Sequence, residues 1–172
     1  MRSCVPDACV RIEHGDGLTP DLIPRARELG VVVVQNPTHL ASPESISKTF
    51  GADRAAELQP LHSLLDAGIP LALGSDGPTN PYLNIMLAAN DPGRSKEALT
   101  REQAVIAYTQ GSAYAEFTEK DKGTLEPGKL ADLAVLSQDI FHFQLNELPK
   151  TESVLTLVNG KVVYDAKLVG TP

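Results

Sequence analysis

The chain has 172 residues, 42% of them hydrophobic and 22% charged, the makeup of a folded domain of ordinary size. Its 22 acidic residues outweigh 15 basic ones for a formal net charge of −7, and no Lys/Arg cluster marks one face, which argues against nucleic acid or an anionic membrane as partner. No run of about 18 apolar residues occurs, and Met1 to Pro6 lacks the apolar stretch of a signal peptide, so the expectation is a soluble, cytoplasmic protein.

Residues 1–9 read as a disordered lead-in. Cys4 and Cys9, spaced C-x4-C, are too few to make a metal site or a disulfide framework, so they read as two reduced thiols. Cys9 to His14 alternates apolar and polar residues, a short strand that Gly15-Asp16-Gly17 breaks. Thr19 is then the expected N-cap of a helix with Pro20 at its first position, Leu22, Ile23, Ala26 and Leu29 on one face, and Gly30 as its stop. Val31 to Val34 are four β-branched residues in a row, which describes a strand covered on both sides, as in a parallel sheet flanked by helices. It ends in the polar loop Asn36-Pro37-Thr38-His39. A helical turn is expected over 43–50, then one amphipathic helix from Ala52 to Ala67 with Ala55, Leu58, Leu61, Leu64 and Leu65 inward.

Ile69 to Leu73 is the next apolar strand, and Gly74-Ser75-Asp76-Gly77-Pro78 ends it abruptly. Asp76 therefore sits at a strand's carboxyl end, the edge of an α/β sheet where ligands and catalytic groups gather. A carboxylate there can ligate a metal, accept a proton or cap a turn. Helices follow near Tyr82 to Ala89, over Thr100 to Thr109 with the capping box Thr100-Arg101-Glu102-Gln103, and around Ser112 to Phe117. The last 50 or so residues change character: a turn-rich connector from Gly123 to Lys129, a strand over Ala131 to Leu136, and a hairpin of Val154 to Val158 with Lys161 to Tyr164 across Asn159-Gly160.

Strand, helix, strand, helix, strand implies βαβ crossovers and a parallel sheet. Three successive strand ends then carry His14, Asn36 with His39, and Asp76. Imidazole and carboxylate are the usual ligands of a catalytic divalent metal, zinc foremost, and a carboxylate beside an acidified water can take and return its proton. Each residue alone is equally compatible with a hydrogen-bonded loop or core role; the shared edge is what raises them together. His62, within a helix, and His142, in the β-rich tail, lie off that edge and read as structural.

The segments Arg11-Ile12-Glu13-His14, Gln35-Asn36-Pro37-Thr38-His39 and Leu73-Gly74-Ser75-Asp76-Gly77-Pro78, with Gly123 to Leu136 and the Val158-Asn159-Gly160-Lys161 turn, resemble the carboxyl-terminal part of the amidohydrolase superfamily. The nearest branch is amidohydrolase family 3, the YtcJ-like metal-dependent hydrolases. The resemblance runs from about residue 10 to 166. It implies an α/β fold: strands six to eight of a (β/α)8 TIM-type barrel over 10–118, and part of a small β-sandwich domain over 119–172. It also implies that His14 and Asp76 serve as metal ligands and catalytic groups, with Asp76 the base and acid, and that His39 and Asn36 meet the substrate.

A barrel takes roughly 250 residues, and the family's amino-terminal ligands have no counterpart here, so the ligand set in this chain is expected to be incomplete. The leading expectation is the carboxyl-terminal part of a hydrolase acting on non-peptide carbon–nitrogen bonds, or esters, of a small molecule, with little or no activity as an isolated chain. The alternative is a catalytically inactive assembly module that pairs with another chain, a second copy or a missing amino-terminal part, through two open sheet edges. A serine hydrolase built on Ser75 is disfavoured, because Gly74-Ser75-Asp76 is not a G-x-S-x-G elbow.

Overall fold

Three strands, Arg11–Glu13 (β1), Val32–Gln35 (β2) and Leu71–Leu73 (β3), form a parallel sheet in the order β1-β2-β3. The register sets Glu13 opposite Val34 and Gln35 opposite Leu73, so the chain leaves all three strands at one edge. The structure is a computed structural model and describes residues 10–90 and 95–167. The lead-in over 1–9, with Cys4 and Cys9, lies outside the described residues.

Between β1 and β2 runs the helix Ile23–Leu29 (α1), which Gly30 closes in the left-handed conformation with its N–H on the Ala26 and Arg27 carbonyls. The helix starts later than the sequence suggested. Thr19 is buried and does not cap it; its hydroxyl donates to Asp21 Oδ1 at 2.6 Å instead, so Leu22 and Leu29 face solvent while Ile23 and Ala26 pack inward. After β2 come a 3-10 turn, Pro37–Ala41, and the solvent-exposed helix Pro43–Phe50 (α2). The single helix expected over 52–67 is two, Ala52–Ala55 (α3) and Leu61–Asp66 (α4). The break is at Gln59-Pro60: Pro60 has no N–H to give the preceding turn, and Gln59 takes a positive φ of 51°.

The sheet is covered on both sides, as the run of valines requires. Val33, Leu71 and Leu73 meet Ile23, Leu61, Leu64 and Ile85 on one face, and Val32, Val34 and Ala72 meet Ala115 on the other. Ile85 belongs to Pro81–Asn90 (α5), whose N-cap is Asn80: Oδ1 accepts from the Tyr82 and Leu83 N–H groups at 3.0 Å each. The capping box opens Arg101–Ile106 (α6), which continues through a π-helical turn, Ala107–Gly111, into Ser112–Ala115 (α7).

That continuous segment changes the expectation of two open sheet edges. The outward carbonyls of β3 do not face solvent: Ser112 Oγ donates to Leu73 O at 3.1 Å, and Gly111 lies so close to Leu71 O that a Cβ there would sit 2.2 Å from it. Only a glycine permits this approach. On β1, Arg11 and Glu13 are exposed among the described residues.

Strands Leu133–Leu136 (β4), Ser153–Val158 (β5) and Lys161–Asp165 (β6) make an antiparallel sheet in the order β4-β5-β6. Asn159 and Gly160 take φ of 50° and 72°, the primed turn read from the sequence. This sheet is open: Val158, Val162, Val163 and Tyr164 are each at least half exposed. Between β4 and β5, Ile140 and Leu148 enter the same core as Leu64 and Ile85, Leu148 from the 3-10 turn Leu145–Lys150. Among the described residues no helix is long and apolar enough to cross a membrane.

Candidate metal centre at the strand ends

Each of the three parallel strands delivers one side chain to the same point. β1 ends in His14 at φ 66°, and β3 is followed by Asp76 at φ 49°. Both are non-glycine residues in the left-handed region, a conformation worth about 1–3 kcal/mol of strain that concentrates at functional sites. The loop after β2 supplies His39 from its 3-10 turn. One donor atom from each of His14, His39 and Asp76 lies within 4.8 Å of the others. Asp76 Oδ2 stands 3.4 Å from His39 Nε2 and 3.7 Å from His14 Nδ1, and the two imidazole rings stack at 5.4 Å between centroids.

Buried amides hold this arrangement from beneath. Asn36, 4% exposed, sets its Nδ2 2.7 Å from His14 Nδ1. Gln35, fully buried, donates from Nε2 to the Gly15 carbonyl at 3.1 Å and so pins the loop after His14. Gly15 is required there twice over: its φ is 60°, and a Cβ would meet Val33 Cγ1 at 2.8 Å and Gln35 Nε2 at 2.9 Å. On the other side Thr38 Oγ1 donates to the Ser75 carbonyl at 2.6 Å, tying the His39 loop to the turn that carries Asp76.

Sequence reasoning missed Asp16 and Gln59. Asp16 Oδ2 lies 2.8 Å from His39 Nδ1, and Gln59 Nε2 donates to Asp16 Oδ1 at 2.7 Å and to the Asn36 carbonyl at 2.9 Å. In the sequence Asp16 reads only as a strand breaker, although it follows β1 at the same edge as His14; that position is the available signal. Gln59 left no signal, being hidden inside a stretch read as helix. His62 and His142 are elsewhere, paired with Asp66 at 3.2 Å and Asp139 at 2.8 Å. A concavity of about 540 Å³ lined by Thr100, Arg101, Glu102, Asp139, Phe141 and His142 lies away from the cluster, whereas a recess of about 400 Å³ beside it is lined by residues 12–18, His14 and Asp16 included.

Two imidazoles and a carboxylate converging from three strand ends form a donor set that suits a divalent cation with an open coordination position. With Asp76 more than half exposed at its side chain, the open side faces solvent, where a small molecule can reach it.

Comparison with known proteins agrees with this reading of fold and family. Over 169 residues the chain is 32% identical to a putative amidohydrolase YtcJ of Bacillus subtilis, covering 90% of this chain and 32% of the relative. It is 29% identical over 170 residues to an N-substituted formamide deformylase of Arthrobacter pascens, covering 92% of this chain and 31% of that protein. Among solved structures, an uncharacterized metal-dependent hydrolase from Pyrococcus horikoshii superposes with a TM-score of 0.71 at 26% identity, over 79% of this chain and 30% of that one. The chain thus spans under a third of the length of these two curated relatives. The model of the Amidohydrolase family, the third of its kind, matches residues 4–164, and the chain belongs to that family.

Proposed function

We propose that this chain is the carboxyl-terminal part of a metal-dependent hydrolase that cleaves a non-peptide carbon–nitrogen bond, or an ester, in a small molecule. The observation that carries the proposal is the meeting of His14, His39 and Asp76 at one sheet edge. The parallel run β1-β2-β3 suits the last three βα units of a barrel, strands six to eight, and the small share of each relative's length that the chain covers suits the same reading.

The donor set fits a divalent cation, zinc foremost, which His14 and Asp76 would hold. Such an ion polarises a carbonyl and brings the pKa of a water toward neutrality. Asp76 then takes the proton of the attacking water at a carboxylate oxygen and returns it to the nitrogen as the carbon–nitrogen bond breaks, so that acid and amine leave neutral in sum. Asn36 is buried against His14, and its part is to hold that ring in place. The formamide deformylase among the relatives makes N-formyl amines the first substrates to try.

The test is amine release from N-formyl and N-acyl amines with Zn²⁺, by the 172-residue chain and by the product of the uninterrupted reading frame around it. Turnover is expected from the longer product, little from the isolated chain, and none from the longer product carrying Asp76→Asn. A longer product that hydrolyses nothing, or one that Asp76→Asn leaves untouched, overturns the reading.

One observation favours the assembly reading as second: the helical segment Ala107–Ala115 covers the edge of β3, whereas Arg11 and Glu13 of β1 are exposed among the described residues. A strand from another chain could add there. Light scattering of the purified chain separates the two, since a concentration-dependent dimer supports edge pairing and a monomer at all concentrations opposes it.

A further inference from the structure

We propose that Asn84 is the positioning residue that holds together the two loops of the strand-end site, the one carrying His39 and the one carrying Asp76. This rests on the hydrolase reading above and deepens it by naming a residue outside the site that sets how far apart His39 and Asp76 stand.

Asn84 is out of character for its place. It lies inside α5 beside Ile85, Leu87 and Ala88, and its own exposure is 0%. An amide is a poor helix former and is costly to desolvate, so packing alone favours an aliphatic residue there. What the amide adds is a donor and an acceptor that face different ways. The Asn80 carbonyl takes both the Asn84 N–H at 3.3 Å and Nδ2 at 3.2 Å, and because a carbonyl only accepts, the amide nitrogen must face it. Oδ1 is thereby turned to Thr38, whose N–H it accepts at 3.2 Å. Neither a leucine nor an ionised aspartate can make both bonds.

The bonds act one residue from the site. Thr38 precedes His39, and its hydroxyl donates at 2.6 Å to the carbonyl of Ser75, the residue before Asp76. Asn80 ends the same turn: its Oδ1 caps α5 through the Tyr82 and Leu83 N–H groups, and its Nδ2 donates to the Pro149 carbonyl at 2.9 Å. Thr38 therefore reaches the start of the Asp76 turn directly and its end through Asn84. Past the Gly74 N–H on the Gln35 carbonyl, at 2.9 Å, β2 and β3 have ended, and these side-chain bonds join the loops. Asp76 depends on such support. Its φ of 49° persists only where surrounding contacts over-determine it, and its Oδ2 stands 3.4 Å from His39 Nε2.

The test compares Asn84→Leu with wild type. In the 172-residue chain it reads amide exchange at Thr38 and the imidazole signals of His39; in the longer product it reads kcat and KM on N-formyl amines with Zn²⁺. The Thr38 amide is expected to exchange about tenfold faster in the variant, relative to that of Val33. The His39 signals are expected to shift while those of His62 and His142 stay, and kcat to fall about 10–100-fold at little changed KM. A merely structural Asn84 would lower the urea midpoint and leave these readouts of the folded protein unmoved. Thr38→Val removes the hydroxyl that reaches Ser75 and should lower kcat likewise, and Thr38→Ser should restore it. If Asn84→Leu moves the midpoint alone, the proposal fails and the hydrolase reading stands. If the longer product hydrolyses nothing while Thr38 and His39 respond as expected, the hydrolase reading fails and the positioning stands. Should Asn84→Leu not fold by circular dichroism, a wild type whose Thr38 amide exchanges like an unprotected one overturns the proposal, as does a Thr38→Val protein with wild-type kcat.

Discussion

Beside the parallel sheet and beside the antiparallel one, the chain sets a histidine Nδ1 against an aspartate Oδ2 at the same 2.8 Å. The His39–Asp16 pair keeps only 29% and 25% of its side chains exposed, with Gln59 on the second carboxylate oxygen; His142–Asp139 keeps 86% and 58% and sits three residues apart in a loop. Equal lengths therefore mean different things. Where neighbouring groups enclose the pair, its geometry is dictated by residues far apart in sequence and can serve a site, whereas in open solvent it is a local contact that water competes with.

The largest test of that contrast asks whether the two regions are one body. Leu148 is wholly buried in the core that holds Leu64 and Ile85, although it lies between two strands of the exposed sheet. Leu148→Ala is expected to cost about 2–5 kcal/mol in urea unfolding, while Val163→Ala, at 61% exposure, should stay within about 0.5 kcal/mol. A loss under about 1 kcal/mol for Leu148→Ala would show that the β-rich part rides on the parallel core without strengthening it.

Gln59→Met sharpens the comparison inside the enclosed pair. It keeps the volume but removes the donor to both Asp16 and the Asn36 carbonyl, and Gln59 is 1% exposed, so those acceptors lose their partner without gaining water. The expected cost is about 1–3 kcal/mol, read from the urea midpoint at unchanged slope, with a loosened His39 ring visible as broadened imidazole signals. A neutral outcome would show that water reaches Asp16 freely and that the enclosure is not what orders the pair.

What could be read from the sequence was whatever a short window determines. The strands around Ile12, Val33 and Ala72, the Asn159-Gly160 turn and the Thr100 to Gln103 capping box each follow from a few adjacent residues, and all are present. That His14, His39 and Asp76 share an edge followed from strand polarity alone. The rest depended on distant partners. Thr19 forgoes its capping role because Asp21 takes its hydroxyl, Pro60 splits a helix whose apolar spacing ran straight through it, and Asp16 matters only through His39 and Gln59, 23 and 43 positions away. The covering of β3 by Gly111 and Ser112 is of the same kind, since nothing near Leu71 announces a helix that returns about 40 residues later.

The smallest expected effect belongs to the exposed pair. The hydrogen bond from His142 first, and the Phe141 N–H second, hold the Asp139 carboxyl below its ordinary 3.8, against a small opposing desolvation. A carboxyl depressed in the folded state contributes stability that is present above its ordinary value and lost as the pH falls through the folded one, so whatever this pair contributes is present at neutral pH and disappears in the acid range below 3.8. His142→Ala should raise the Asp139 value without restoring it fully, because Phe141 N–H still donates to Oδ1 at 2.9 Å. A carboxyl ¹³C titration reads this directly, and because an open pair is worth little, the urea midpoints of the two proteins should differ only slightly at pH 7 and converge as the pH falls below 3.8. If the midpoints differ widely at neutral pH, the pair is enclosed after all, and its likeness to His39–Asp16 extends beyond the shared distance.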